Sequence, residues 1–271
     1  MKQVVASVIA KGEPITGLVR PHGRSIRFSQ TIRLKCPEIA REAQPGQFVM
    51  VCCDDECVLP RPFSIHRVND QGDVSLYFAV LEDGKGTDWL SQRQVGDAVA
   101  LFGPLGNGFS IRQNSQKLLL VAGGMGIAPL YFLAEETLKK GCSVTLLYGT
   151  AVRNWYVESL LTSGIKLIIA TEDGSVGYHG MITDLLPDYI DWADQIFACG
   201  PMAMYRDMAQ KKRELKLQGK SVQVSLEIVM ACGRGVCYGC TIKTRQGMKK
   251  VCQDGPVFDL DDILWDELNQ S

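Results

Sequence analysis

Four cysteines near the C-terminus constrain this chain more than any other feature. Cys232, Cys237 and Cys240 follow the spacing C-x4-C-x2-C, and Cys252 comes after a further eleven residues. That is the plant-type spacing for a two-iron two-sulfur cluster, in which four thiolates converge on one small inorganic core. A loop wrapping such a core closely needs backbone conformations that most side chains avoid. Gly233, Gly235 and Gly239, interleaved with the cysteines, can adopt them. A structural zinc site is the competing reading, although zinc cysteines usually come as paired C-x2-C knuckles and only one C-x2-C is present here. A cluster implies one-electron transfer, so the rest of the chain should hold a source or sink of electrons.

At 271 residues the chain exceeds one average domain, so two or three domains are expected. A hydrophobic content of 46% with 22% charged residues describes a soluble globular protein. The net charge of −1 gives no reason to expect nucleic acid or an anionic membrane as partner. No apolar run approaches the roughly 20 residues of a spanning helix. The short apolar stretch at the N-terminus, cut off by Gly12 and Pro14 with no small-residue cleavage site, reads as a first β-strand rather than a signal peptide. Ten cysteines without a paired framework fit a reducing cytoplasm.

From residue 3 to about 104 the pattern is short strands and turns. Ile26, Phe28, Ile32 and Leu34 share one face at period two. Further strands are expected over Gln47–Cys53, Phe63–Val68, Val74–Val80 and Ala98–Phe102, several of them separated by turn residues such as Asp83-Gly84 and Gly96-Asp97. Short strands with no long helix between them predict a small closed antiparallel barrel. From Lys117 the texture changes. Lys117–Ala122 is a continuous apolar run, as for a strand buried on both faces. Strand candidates at Ser143–Tyr148, Lys166–Thr171, Gln195–Cys199 and Ser221–Leu226 alternate with helical candidates running to Lys140 and near Asn154–Leu161, Met181–Leu186 and Met202–Leu217. That alternation predicts a doubly wound α/β domain with a parallel sheet.

Two segments in the barrel carry chemistry: Arg61, Pro62, Phe63 and Ser64, and then Gly84 to Thr87 just after the strand ending at Phe78, Ala79 and Val80. Here the sequence resembles the ferredoxin-reductase flavoproteins, whose Arg-Pro-aromatic-Ser motif binds FAD. The resemblance implies that Arg61 forks onto the pyrophosphate, that Pro62 stiffens the loop, that the Phe63 ring stacks on flavin or adenine and that Ser64 bonds near the reactive ring edge. Gly86 would let the backbone approach the phosphates and Thr87 would add a hydroxyl donor. The resemblance continues at Gly123, Gly124, Gly126 and Pro129, where glycines open a helix N-terminus to a dinucleotide phosphate. It recurs at Cys199, Gly200 and Pro201, expected beside the nicotinamide at the carboxyl end of a strand, though a small buried thiol is the plainer reading of Cys199. The turn from Thr171 to Gly177 is a weaker nucleotide contact.

Barrel, nucleotide domain and cluster in this order are similar to the electron transfer subunits of NAD-linked, type B dihydroorotate dehydrogenases. The similarity runs along essentially the whole chain, through Pro45 to Met50, Arg61 to Ile65, Gly103 to Phe109, Gly123 to Pro129, Cys199 to Pro201, the cysteine loop and Cys252 to Phe258. It implies domains over 1–113 for FAD, 114–226 for NAD and 227–271 for the cluster. It also implies a separate FMN-bearing catalytic subunit, joined in a cytoplasmic heterotetramer of two copies of each, serving pyrimidine biosynthesis. Electrons from dihydroorotate would reach the partner's FMN, then this chain's cluster, FAD and NAD. Related subunits of sulfhydrogenases and ferredoxin-dependent transhydrogenases share the order, but Ser64 weighs against them. A zinc-stabilised binding protein on a degenerate reductase scaffold is the alternative from another class. No residue reads as a catalytic base, and none is needed, because nicotinamide and flavin carry the hydride chemistry. Cys52, Cys53 and Cys57 crowd together without a fourth ligand, and His66 reads as a polar barrel residue. Arg153 stands where a 2′-phosphate would sit, with no other basic residue beside it. The segment from Asp259 to Glu267, acidic on one side and apolar on the other, reads as a short surface helix or a docking element.

Overall fold

Period-two alternation closes the first hundred residues on themselves. In the computed structural model, which describes residues 1–16, 25–53, 57–154, 157, 159 and 164–268, six strands form a closed antiparallel barrel in the order β1-β2-β5-β4-β3-β6. They are β1 (Lys2–Lys11), β2 (Ile26–Lys35), β3 (Phe48–Cys52), β4 (Arg61–Val68), β5 (Asp73–Leu81) and β6 (Ala98–Leu105). Inward residues such as Val49, Val51, Phe63, Ile65, Leu76, Phe78 and Val80 make one core inside the barrel. Their alternating neighbours Phe48, Met50 and Phe102 point outward and are equally buried. An outer face that apolar must be covered by something else in the chain.

The second domain covers it. The strands β7 (Lys117–Gly123), β8 (Ser143–Thr150), β9 (Ile165–Thr171), β10 (Tyr178–His179), β11 (Gln195–Cys199) and β12 (Val222–Ser225) join a parallel sheet ordered β10-β9-β8-β7-β11-β12. The hairpin β13 (Thr241–Thr244) and β14 (Gly247–Lys250) belongs to the cysteine region. After it β15 (Val257–Asp259) adds itself antiparallel to β12 as the seventh strand. The fold is therefore the expected one, an antiparallel barrel, a doubly wound sheet and a small C-terminal cysteine module, with the last strand of the module built into the sheet. One continuous core joins all three. It includes Met50 and Leu105 from the barrel, Leu119 and Val121 from β7, and Val251, Ile263 and Trp265 from the C-terminal region.

Helices α1 (Pro37–Ala40) and α2 (Lys85–Gln92) decorate the barrel, and α3 (Ile127–Lys139) follows β7. Pro129 does not break α3. It occupies the first turn, where the missing N–H has no intrahelical acceptor in any case.

Three expectations are corrected. The helix expected over Met202–Leu217 stops at Gln210. Lys216 takes φ +54° and the Leu217 N–H bonds back to Lys212 O, a tight turn that lets Leu215 and Leu217 bury in the shared core. The segment near Met181–Leu186 is a 3₁₀ turn at Ile182–Leu185 leading to a one-turn helix, Leu186–Tyr189. The acidic tail is no surface helix. Leu260, Ile263, Trp265 and Leu268 are buried in the chain's own core, and the Trp265 indole N–H donates to Leu260 O at 2.9 Å. Its apolar side is already covered and does not await a partner. The helix expected over Asn154–Leu161 falls largely outside the described residues.

Candidate functional site

The flavin motif lies on β4, whose first half pairs with β3 alone. Val51 faces Arg61, Met50 faces Pro62, Val49 faces Phe63 and Phe48 faces Ser64. Pairing of β4 with β5 starts only at Ile65. Arg61–Ser64 and Phe78–Val80 thus splay apart and leave a seam of unpaired strand edge. Residues directly opposite each other share a face. Pro62 and Ser64 therefore point outward with Met50 and Phe48, toward the covering domain, and Ala79 alternates outward on β5.

Phe63 points the other way. Its ring packs in the barrel core edge to face with Phe78, centroids 5.4 Å apart, and is 6% exposed. The expected stacking on flavin or adenine is not available to it. Its side chain, like those of Phe78 and Val80, anchors the strand from inside. Arg61 does come together with the glycine segment. A Cβ on Gly86 would meet Arg61 Cγ at 2.7 Å, so only glycine lets the arginine lie across that turn. The Arg61 guanidinium donates to Leu59 O at 2.6 Å, and the Thr87 hydroxyl donates to Gly84 O at 3.0 Å, fixing the start of α2.

The nucleotide loop is a place of close backbone approach. A Cβ on Gly126 would stand 2.8 Å from Gly200 N and closer still to Cys199 O. One on Gly123 would meet Pro201 Cδ at 2.7 Å. Gly123, Gly126, Cys199, Gly200 and Pro201 therefore form one cluster at the carboxyl ends of β7 and β11. Gly124, at φ +53°, lies open with no neighbour within 4 Å of where its Cβ would be. Among the described residues no side chain caps α3 and none in its first turn is acidic, so no side chain offsets the positive end of the helix dipole there. The Cys199 thiol is turned inward, 1% exposed, and bonds to Ser225 O at 3.6 Å; burial pushes it well above the usual thiol range. At Cys199 only the backbone stands beside the glycine loop.

The four C-terminal cysteines form two pairs. Cys232 and Cys237 interact through their side chains, as do Cys240 and Cys252. Cys240 and Cys252 are buried, whereas Cys237 is exposed. Backbone N–H groups point at the sulfurs: Arg234 N to Cys232 at 3.3 Å, Gly239 N to Cys237 at 3.5 Å and Cys252 N to Cys240 at 3.4 Å. Partial burial pushes the Cys232 thiol up, but the Arg234 N–H, the Cys237 side chain and the N–H groups of Cys237 and Val236 outweigh it and bring it down to about 6. Burial, then the neighbouring Cys240, push Cys252 up to about 12. Two thiol pairs suit a cluster that takes two thiolates on each iron. Among the described residues no group of three His, Cys, Asp or Glu side chains is drawn together around a single ion position.

The cysteine loop lies on the flavin barrel. Gly233, at φ +63°, has Met50 Sδ 3.0 Å from where its Cβ would be. Met50 stands opposite Pro62, so a single strand, β3, separates the loop from Arg61–Ser64. The Arg234 guanidinium lies 4.6 Å above the Phe102 ring. Asn107 fastens the other side, its side-chain amide donating to Asp254 O at 3.0 Å.

Residues 23–109 match the family model of the oxidoreductase FAD-binding domain, and residues 227–264 match that of the iron–sulfur cluster binding domain of dihydroorotate dehydrogenase B. Over 245 residues the chain is 38% identical to the dihydroorotate dehydrogenase B (NAD(+)) electron transfer subunit of Desulforamulus reducens, covering 85% of this chain and 90% of that one. The chain belongs to this family. The electron transfer subunit of Clostridium acetobutylicum is 37% identical over 219 residues, covering 80% of this chain and 85% of its relative. Among solved structures, an NADH-dependent reduced ferredoxin-NADP oxidoreductase superposes with a TM-score of 0.81 at 28% identity, covering 98% of this chain and 91% of that one. A ferredoxin reductase of carbazole 1,9a-dioxygenase shares the fold at 22% identity and a TM-score of 0.61, covering 81% of this chain and 66% of its own. The likeness to the family accounts for both candidate sites, flavin and cluster, as parts of one oxidoreductase subunit that transfers electrons. Sequence reasoning read His66 as a polar barrel residue, which it is, but missed its tie to the helix after β7. His66 stands two residues past Ser64, is 1% exposed, and bonds through Nδ1 to Ala128 O at 2.9 Å. Its partner lies 62 residues away, with no local signal to reveal it.

Proposed function

We propose that this chain passes electrons between a separate FMN-bearing catalytic subunit, which oxidises dihydroorotate, and NAD. FAD and a two-iron two-sulfur cluster, when bound, supply the exchange between hydride and single-electron chemistry. The observation that carries the reading is the packing of the cysteine loop, through Met50, against the strand next to Arg61–Ser64. On this reading the two redox sites stand a strand's width of backbone apart. In this reading Arg61, Gly86 and Thr87 hold the FAD pyrophosphate, while Ser64, with the strand edges at Phe63 and Phe78–Val80, orients the ring. Cys232, Cys237, Cys240 and Cys252 hold the cluster. Gly123, Gly124, Gly126, Cys199, Gly200 and Pro201 line the nicotinamide nucleotide site. The Arg153 backbone N–H donates to Ser175 Oγ at 3.0 Å, and the same turn carries Glu172 and Asp173, whose N–H groups bond back to Thr150 O and Ala151 O; acidic residues in that turn disfavour a 2′-phosphate. The relatives' own name specifies NAD(+).

The exposed Cys237 is flanked by exposed Val236 and Tyr238, an apolar rim that suits the catalytic subunit as partner. The complex is a cytoplasmic heterotetramer of two copies of each subunit, acting in pyrimidine biosynthesis. Among the described residues no helix is long and apolar enough to cross a membrane.

A second reading, the electron transfer subunit of another NAD(P)H-linked oxidoreductase, draws on the likeness to the ferredoxin-NADP oxidoreductase. The higher identity to the dihydroorotate dehydrogenase subunits favours the first. One experiment separates them. The isolated chain should reduce a dye with NADH and leave dihydroorotate untouched. Added catalytic subunit should then make dihydroorotate reduce NAD. Coupling to reduced ferredoxin but not to the catalytic subunit would select the second reading, and oxidation of dihydroorotate by the chain alone would contradict both.

A further inference from the structure

β4 does more than carry the flavin motif. Ser64 and His66 leave the same face of the strand, about 7 Å apart along it. Ser64 is directed at the flavin seam, whereas His66 is buried against α3. A carbonyl oxygen only accepts, so the 2.9 Å contact with Ala128 O places the proton on His66 Nδ1. The imidazole stacks on Tyr131 of α3 at 5.2 Å with 28° between the planes, and lies 5.6 Å from Tyr77 of the barrel. Ala128 belongs to the first turn of α3, which follows directly on the glycine loop read as the nucleotide site. Two turns further along, Arg67 of the same strand pairs with Glu135 at 2.6 Å.

We propose that His66 is a positioning residue: its bond to Ala128 O fixes the nucleotide helix against the flavin strand and so sets the approach of NADH to the flavin. This rests on the reading of Arg61–Ser64 as the flavin site and of the α3 N-terminus as the nucleotide site. The physical reason is the short range of the chemistry. Hydride moves from nicotinamide to flavin only when the reacting atoms stand about 3–3.5 Å apart, and an error of an ångström costs on the order of a hundredfold. The two ligands are held by different domains, so the error is governed by the ties between β4 and α3. The Arg67–Glu135 pair lies at the solvent edge, with Arg67 51% exposed, and secures the middle of the helix rather than its start. The bond from His66 is the buried tie at the first turn.

Two variants of the full chain with its bound FAD test this. His66→Phe keeps a stacking ring and removes the donor. His66→Asn places an amide N–H where Nδ1 was and removes the ring. FAD content, the long-wavelength charge-transfer absorbance formed on anaerobic mixing with NADH, and the rate of flavin reduction with its deuterium isotope effect are measured for each. His66→Phe should retain FAD, lose most of the charge-transfer absorbance and slow flavin reduction by about tenfold to a hundredfold, with a larger isotope effect. His66→Asn should recover the band and come within a few-fold of the parent rate. A normal band and rate in His66→Phe would overturn the proposal, as would equal losses in both variants, since packing alone would then explain them. His66→Leu serves in the same comparison should the Phe ring not be accommodated. A parent chain that gave neither band nor flavin reduction with NADH would instead overturn the nucleotide reading on which the proposal stands.

Discussion

Gly126 offers a sharp test of how the nucleotide loop is built. In Gly126→Ala the added methyl would stand 2.8 Å from Gly200 N and closer to Cys199 O. Both are backbone atoms in or next to β11, a strand hydrogen-bonded on both sides, so neither can rotate away as a side chain would. Overpacking a filled core costs about 1–3 kcal/mol, and a clash with fixed backbone belongs at the upper end. A loss of about 3 kcal/mol corresponds to a fall in Tm on the order of 6–12 °C for a domain of this size class. Gly124→Ala is the control. Its methyl would meet nothing within 4 Å, and the cost there is only the left-handed φ of +53°, about 1–2 kcal/mol. Thermal unfolding of FAD-loaded parent and variants, with NADH affinity from flavin quenching, should rank Gly126→Ala well below Gly124→Ala in stability. Gly126→Ala should also weaken NADH. If Gly126→Ala melted at the parent temperature, or below it by no more than Gly124→Ala, the close approach of the glycine loop to Cys199 and Gly200 would be refuted.

Three further outcomes are expected. Arg61→Ala removes a charge-assisted contact worth about 1.5–3 kcal/mol and should weaken FAD by about tenfold to a hundredfold, read by flavin retention on dilution; unchanged retention would remove Arg61 from the phosphate site. After anaerobic purification, iron and acid-labile sulfide should each approach about two per chain, whereas stoichiometric zinc without sulfide would rule out the cluster. Burial holds His66 down to about 4, below its ordinary 6.5, so the unfolded chain takes up a proton that the folded one refuses. The associated stability is complete above about pH 6.5 and is lost as pH falls toward 4. Between pH 7 and pH 5 it amounts to about 2 kcal/mol, so urea titrations should show that much less pH dependence in His66→Phe.

The chain's larger organisation was readable because each domain writes its own period. Ile26 to Leu34 alternate as a half-buried strand does, whereas Lys117–Ala122 run apolar as a strand covered on both faces must. The cysteine spacing is legible because covalent chemistry fixes it. What stayed hidden depends on partners far along the chain. Alternation places Phe63 and Ser64 on opposite faces, but nothing local says which face is the inside of the barrel, and Phe63 proved to be the inward one. Three residues at Val257–Asp259 are too few to announce a strand, and they pair with β12 some thirty residues earlier. The acidic tail looks like a surface helix until Trp265 and Leu268 are seen in the core that unites the three parts. His66 is a lone histidine in the sequence and a tie between two domains in the structure.

The central claim is that electrons cross this chain through the cysteine loop. Cys237 is the exposed cysteine of that loop, so Cys237→Ser is the replacement that least disturbs the buried Cys240 and Cys252. The measurement is a pair of rates on the reconstituted complex with the catalytic subunit: dihydroorotate-driven NAD reduction, and NADH-driven dye reduction. The account predicts that a folded, FAD-loaded, cluster-free Cys237→Ser chain loses the first and keeps the second, because the dye draws electrons from the flavin directly. Full dihydroorotate-to-NAD activity in that cluster-free chain would contradict it.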